Sequence, residues 1–138
     1  MIESETEISE DLVRDLLRAP GWEGPSVWVH GDLHPANVVA ADGTLAGVVD
    51  FGALVAGDLA WDLAAAWLLL PAGRASGFFD SYAQADEAAI RRARGLAAMK
   101  SLFLMLTGRN GDRGLLPGGK PNWGPAGRSA LDRVLKGV

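Results

Sequence analysis

The 138 residues contain no cysteine, which excludes disulfides, zinc–thiolate sites and thiol nucleophiles and fits a reducing cytoplasm. Long apolar runs are missing too. The longest, Leu63 to Pro71, falls far short of the roughly 18–20 residues a membrane span needs. The segment Met1-Ile2-Glu3-Ser4-Glu5-Thr6-Glu7 is acidic, the opposite of a signal or transit peptide. No strong charge of one sign is present. The net charge of −4 gives no general attraction to nucleic acid or an anionic membrane. Trp22, Trp28, Trp61, Trp67 and Trp123 are not interleaved with basic residues as a base-stacking surface requires, and they read as core or interface fillers. Apolar residues at 49% and charged residues at 22% exclude disorder, and the length suits one domain, residues 1–138, with a core of its own. The expectation is a soluble cytoplasmic protein with no nucleic-acid or membrane partner.

What is present concentrates between Val27 and Asp62. There His30-Gly31-Asp32-Leu33-His34-Pro35-Ala36-Asn37 is followed by Val48-Val49-Asp50-Phe51-Gly52, polar residues set at the ends of short β-branched runs. Asp42-Gly43 between two apolar runs is the strongest short-range signal for a β-hairpin. If those two residues form the turn, Ala41 faces Thr44, Ala40 faces Leu45, Val39 faces Ala46, Val38 faces Gly47 and Asn37 faces Val48. Asp50 then projects from the same face as Asn37. Diagonal neighbours of that kind lie about 7–8 Å apart, and a divalent cation with oxygen ligands at about 2.1 Å could be held by both. Asp32, in the loop just before, is free to point at the same space. The pattern reads as a metal–phosphate constellation.

The rest of the chain reads as helices. Ser9 looks like an N-cap before an acidic turn and an apolar face of Leu12, Val13, Leu16 and Leu17, stopped by Pro20-Gly21. Trp22 to Pro25 is a connector and Ser26 to Val29 a short buried strand. Gly52 to Gly57 reads as an irregular loop, and Asp58 as the cap of a helix through Leu70, apolar almost all round and therefore central. Phe78, Phe79 and Tyr82 mark a short amphipathic helix. A long one runs from Asp86 to about Thr107, burying Ile90, Ala93, Ala97 and Leu102 to Leu106. Gly108 to Gly124 reads as a glycine-rich surface loop and Ala126 to Lys136 as a last helix. The fold class expected is α+β, mainly helical, a small hairpin region on a helical bundle.

The segments 30–37 and 48–52 resemble the catalytic and metal loops of the protein-kinase-like fold. With Gly57-Asp58-Leu59-Ala60-Trp61-Asp62-Leu63-Ala64 they are more closely similar to the aminoglycoside phosphotransferase family, whose members phosphorylate hydroxyls of small molecules with ATP or GTP. The likeness covers Trp22 to Pro71 strongly and the later helices only in general character. It implies that Asp32 accepts the proton of the substrate hydroxyl, that Asn37 holds one Mg²⁺, and that Asp50 holds the metal bridging the nucleotide phosphates. Phosphoryl transfer is mostly positioning and charge neutralisation, which calls for hard oxygen ligands and one carboxylate facing the incoming hydroxyl. His30 and His34 read as structural. Asp58 and Asp62 read as caps, and in the family as braces of the catalytic loop.

Two departures from the family pattern stand out. Leu59 occupies a position where the family usually has proline. Only 29 residues precede His30 and the first lysine is Lys100, so the glycine-rich phosphate loop and strand lysine of such enzymes have no counterpart. The chain is therefore expected to be the C-terminal lobe alone, without the N-terminal nucleotide lobe, inactive or weak in nucleotide binding by itself. It is expected to form homo-oligomers, a dimer above all, through apolar surface near Trp22, Trp28 and the hairpin. Two other readings remain. One is a remnant that keeps the fold without turnover. The other is a facial metal site of His30, Asp32 and His34, against which Gly31 and Pro35 argue. Nothing in the sequence selects an antibiotic, a sugar, an amino alcohol or another hydroxyl compound as acceptor.

Overall fold

The computed structural model describes residues 2–115 and 120–137. Helix α1 (Ile2–Arg18) begins ahead of the expected cap. Ser9 lies within it, since neither glycine nor proline interrupts the chain before Pro20. Leu12 is buried and Leu16 packs on the core one turn later, whereas Leu17 is 78% exposed. The buried stripe is narrower than the run of leucines suggested, because adjacent positions on a helix face different ways.

Strand β1 (Val27–Val29) is only half-buried: Val29 is enclosed, but Trp28 is 76% exposed. The hairpin is β2 (Val38–Ala41) and β3 (Thr44–Val48). Its turn residues Asp42 and Gly43 both have positive φ, 53° and 77°, as a type I′ turn requires. Pairing agrees with expectation at Ala41↔Thr44 and Ala40↔Leu45, then slips. A bulge at Ala46 sets Val39 opposite Gly47 and Val38 opposite Val48. These strands are mostly exposed and carry alanine and glycine, so little side-chain packing fixes their register. A fourth strand, β4 (Val55–Gly57), pairs antiparallel with β1 where an irregular loop was expected. Three residues are too few to show an alternating pattern, and the partner strand supplies the reason to extend.

The expected helix from Asp58 to Leu70 is instead two turns, α2 (Ala60–Leu63) and α3 (Ala65–Leu68). They join at Ala64, whose N–H donates to the Ala60 carbonyl at 3.2 Å. Leu59, Ala60 and Leu63 to Leu68 are buried, so this segment does form the centre of the core, with Trp61 the exception. Trp67 meets Phe79 of α4 (Ala75–Asp80) at 5.3 Å between ring centres.

Helix α5 (Glu87–Asp112) is capped by the Asp86 carboxylate, which accepts from Ala89 N–H at 2.8 Å. It continues past Thr107 through part of the expected loop. Five consecutive residues circle a helix, so 102–106 cannot all be buried: Leu104 is, while Phe103 and Leu106 face outward. Helix α6 (Trp123–Lys136) starts three residues earlier than expected, with Pro125 in its first turn. The rest of the expected Gly108–Gly124 loop includes 116–119, outside the described residues. Helices α5 and α6 touch through glycine. A Cβ on Gly127 would come within 2.6 Å of the Ser101 carbonyl oxygen, so a larger residue there would push the pair apart. Among the described residues no helix is long and apolar enough to cross a membrane. Among the described residues the fold is mixed α and β, mostly helical, with two two-stranded antiparallel sheets.

Candidate active site

The loop between β1 and β2 is held from below by α2. Asp62 accepts hydrogen bonds from the backbone N–H groups of His30 at 2.8 Å and Gly31 at 2.9 Å. Gly31 has φ of 86°, and a Cβ there would lie 2.8 Å from the Ala53 carbonyl oxygen, so only glycine lets the two loops approach. The His30 Nδ1 accepts from Asp32 N–H at 3.2 Å, which leaves Nε2 to donate to the Val49 carbonyl at 2.8 Å. One ring thus ties the loop before β2 to the loop after β3. His34 is buried and caps a 3₁₀ turn (Pro35–Asn37) by accepting from Ala36 N–H at 3.4 Å. Its other face meets the edge of Trp123 at 5.2 Å. Both imidazoles are engaged in holding the loop. Among the described residues no three of His, Asp and Glu converge to hold a metal ion, so the facial site of His30, Asp32 and His34 is not assembled.

Asp58 also braces the structure rather than facing the cleft. It accepts from Ala60 N–H at 2.9 Å and takes two bonds from the buried Arg92 guanidinium, at 2.8 and 3.1 Å. Arg92 donates in turn to the Pro20 carbonyl, so one cation joins α5, the start of α2 and the connector after α1.

Asp32 is about a third exposed. Its Oδ1 receives the Lys100 ammonium at 2.5 Å and lies 3.7 Å from His34 Nε2, while Oδ2 accepts from Asn37 Nδ2 at 3.1 Å. Burial opposes ionisation of this carboxyl. The Lys100 hydrogen bond and charge, helped by His34 and Asn37, outweigh it and hold Asp32 below the usual carboxylate range. Asp32 is therefore an ionised acceptor at neutral pH. Each carboxylate oxygen has two lone-pair sites, so room for a further hydroxyl remains.

Asn37 gives its amide nitrogen to Asp32, also bonding the Asp32 carbonyl at 2.9 Å, and this leaves the amide oxygen as its available ligand atom. The expected diagonal between Asn37 and Asp50 does not hold as drawn. Val49 N–H bonds the Asn37 carbonyl at 2.9 Å, so after the bulge Asn37 faces Val49 rather than Val48. A regular ribbon would send Asp50 to the opposite side. Asp50 instead adopts φ of 57°, which ends the ribbon, and its Oδ1 accepts from Gly52 N–H at 3.3 Å; backbone strain of this kind gathers at functional sites. Burial lowers the pKa of His34; Asp32 opposes this, Lys100 adds to it, and Asp50 opposes it as well. His34 Nε2 is 3.4 Å from the Asn37 amide nitrogen, so Asn37 borders that imidazole, while Asp50 lies exposed just past the end of β3. Two hard oxygen donors suit magnesium, which keeps several waters and takes one or two protein ligands beside phosphate oxygens.

Gly31 and Leu33, on either side of Asp32, line a cleft of about 220 Å³ walled by α2, α3 and α5. Lys100 stands at its edge. Sequence reasoning passed over this lysine, although a signal was there. It is the one charge between Arg94 and Arg109 in an apolar helix, and such a charge needs a partner.

The family model described as phosphotransferase enzyme family matches residues 3–96. No curated protein and no solved structure matches the chain.

Proposed function

The chain belongs to the phosphotransferase enzyme family, and from that premise we propose that it serves transfer of the γ-phosphoryl group of ATP or GTP to a hydroxyl of a small molecule. Asp32 accepts the hydroxyl proton. The acceptor oxygen forms a bond to the γ-phosphorus as the bond to the β–γ bridging oxygen breaks, giving a phosphate ester and ADP or GDP, and Asp32 then releases its proton to water. Asn37 and Asp50 would hold Mg²⁺, which when bound neutralises phosphate charge. The observation that carries this reading is the setting of Asp32: an ionised, partly exposed carboxylate on a loop braced by Asp62, bonded to the Asn37 amide and flanked by two residues that line a cleft.

No glycine-rich loop and no lysine lies among the residues before His30. The proposal therefore includes weak nucleotide binding by these 138 residues, with the covering half of the nucleotide site supplied from outside them. Calorimetry with ATP tests it. Binding should be in the millimolar range, require Mg²⁺, and weaken at least about tenfold in Asp50→Asn, as expected where a carboxylate carries the metal contact. Affinity independent of Mg²⁺ and of Asp50 would refute the assignment.

One observation favours a second reading, a chain that keeps the fold without turnover. Lys100 pairs directly with Asp32 and makes it a weaker base. The two readings separate on product: a phosphorylated alcohol formed with Mg-ATP, and lost in Asp32→Asn, supports the enzyme.

A further inference from the structure

The cleft beside Asp32 has an uneven character. Its floor is the buried Ala64, Leu68 and Leu96, and its rim is the exposed Trp61, Met99 and Phe103. Large apolar side chains left in water around one concavity mark a binding site rather than chance exposure. No acid lines it. The charge at its edge is the Lys100 ammonium, held on Asp32 Oδ1 and 5.2 Å from the Phe103 ring centre. A volume of about 220 Å³ is below the range of drug-sized pockets, which limits the occupant to a small molecule.

We propose that this cleft takes the acceptor of the transfer reaction, that the acceptor is a compact alcohol with an apolar body and no cationic group, and that Lys100 is the residue that excludes cations. This rests on the phosphotransferase reading and narrows it. An alcohol lying between Leu96 and the aromatic rim brings its hydroxyl toward Asp32, which is flanked by two residues of the cleft. An ammonium group on the same body would meet the Lys100 charge across an apolar wall that offers it no carboxylate. Lys100 already occupies Asp32, the carboxylate beside the cleft, so an ammonium placed there would give up its hydration with no free counter-charge to replace it.

The test is amide-resonance titration of the full chain by heteronuclear NMR with two matched probes, cyclohexylmethanol and its aminomethyl derivative, and with kanamycin as a polycation. Shifts at Gly31, Leu33, Leu96 and Met99 report the cleft. Cyclohexylmethanol should bind there about tenfold or more tightly than the ammonium analogue, and kanamycin should leave those resonances in place. Lys100→Met should erase most of the preference. Met99→Glu, at an exposed rim position that tolerates polarity, should reverse it without touching Asp32. Equal affinity of the two probes in the native chain, or kanamycin seated in the cleft, overturns the proposal, as does a preference unchanged in both variants. The two levels fail separately. Cyclohexylmethanol bound in the cleft, with Mg-ATP showing no Asp50-dependent binding to the same chain, counts against the reaction and supports the cleft assignment; phosphorylation of kanamycin supports the reaction and overturns the assignment.

Discussion

Removing the Asp62 carboxylate should loosen the loop that carries Asp32 before it affects anything else. Asp62 accepts two backbone N–H bonds, from His30 and Gly31, and both donors are partly withdrawn from water. Hydrogen bonds to a charged acceptor contribute about 1.5–3 kcal/mol each. Water can replace part of the loss at a half-buried site, so Asp62→Ala should cost about 3 kcal/mol, the lower end of the pair. Asp62→Asn keeps one acceptor oxygen and should cost about half of that. Unfolding entropy near 2.1 cal/mol/K per residue gives about 0.3 kcal/mol/K for this chain, so the melting temperature should fall by about 10 °C for the alanine variant and about 5 °C for the asparagine variant. Native-state hydrogen exchange locates the effect. In Asp62→Ala the His30 and Gly31 amides should exchange through a local opening that added denaturant hardly affects, while amides in the middle of α5 still exchange by global unfolding. A melting shift below about 1 °C, with those two amides unchanged, would refute the view that α2 holds the loop.

Three other outcomes follow from the same geometry. His34 is buried with a lowered pKa, so the unfolded chain binds its proton first, and stability should fall as pH drops below about 6.5 and continue to fall through the lowered native value; melting curves against pH should show this slope in the native chain and a shallower one in His34→Gln. Asp32 has a lowered pKa as well, so its stabilisation is present above about 3.9 and is lost as pH falls through its native value; removal of the Lys100 charge in Lys100→Met lets the burial effect dominate, and carboxyl-detected NMR should find Asp32 titrating at higher pH than in the native chain. Trp28, Leu45, Phe51, Leu54 and Val55 leave apolar surface exposed around the two small sheets, and light scattering at rising concentration should give the mass of a dimer; a monomer throughout would count against self-association by this face.

Much of the fold was legible wherever a local rule decided it. Asp42-Gly43 specified a turn because both positions take positive φ, and Asp86 specified the start of α5 because its carboxylate satisfies a free helix N–H. The apolar run from Leu59 to Leu70 marked the centre of the core. What escaped the sequence was decided between segments. The bulge at Ala46 arises in strands with little side chain to lock their pairing, and it undoes the argument that set Asn37 and Asp50 on one face. β4 exists because β1 needs a partner, and Trp28 is exposed because that two-stranded sheet has no cover on one side. At the candidate site, the motif spacing singled out Asp32 and Asn37, which the fold sets in direct contact. It did not reveal Lys100, which reaches Asp32 from 68 positions away in the chain; only the oddity of one charge in an apolar helix hinted at it.

The central claim is that Asn37 and Asp50 share one divalent cation beside Asp32. Mn²⁺ titrated in place of Mg²⁺ in the presence of ADP, followed by paramagnetic broadening of amide resonances, tests it without relying on turnover. The account requires broadening that begins at residues 32, 37 and 50, weakens in Asn37→Ala and vanishes in Asp50→Asn. Broadening centred elsewhere on the chain, or unchanged by both substitutions, would contradict it.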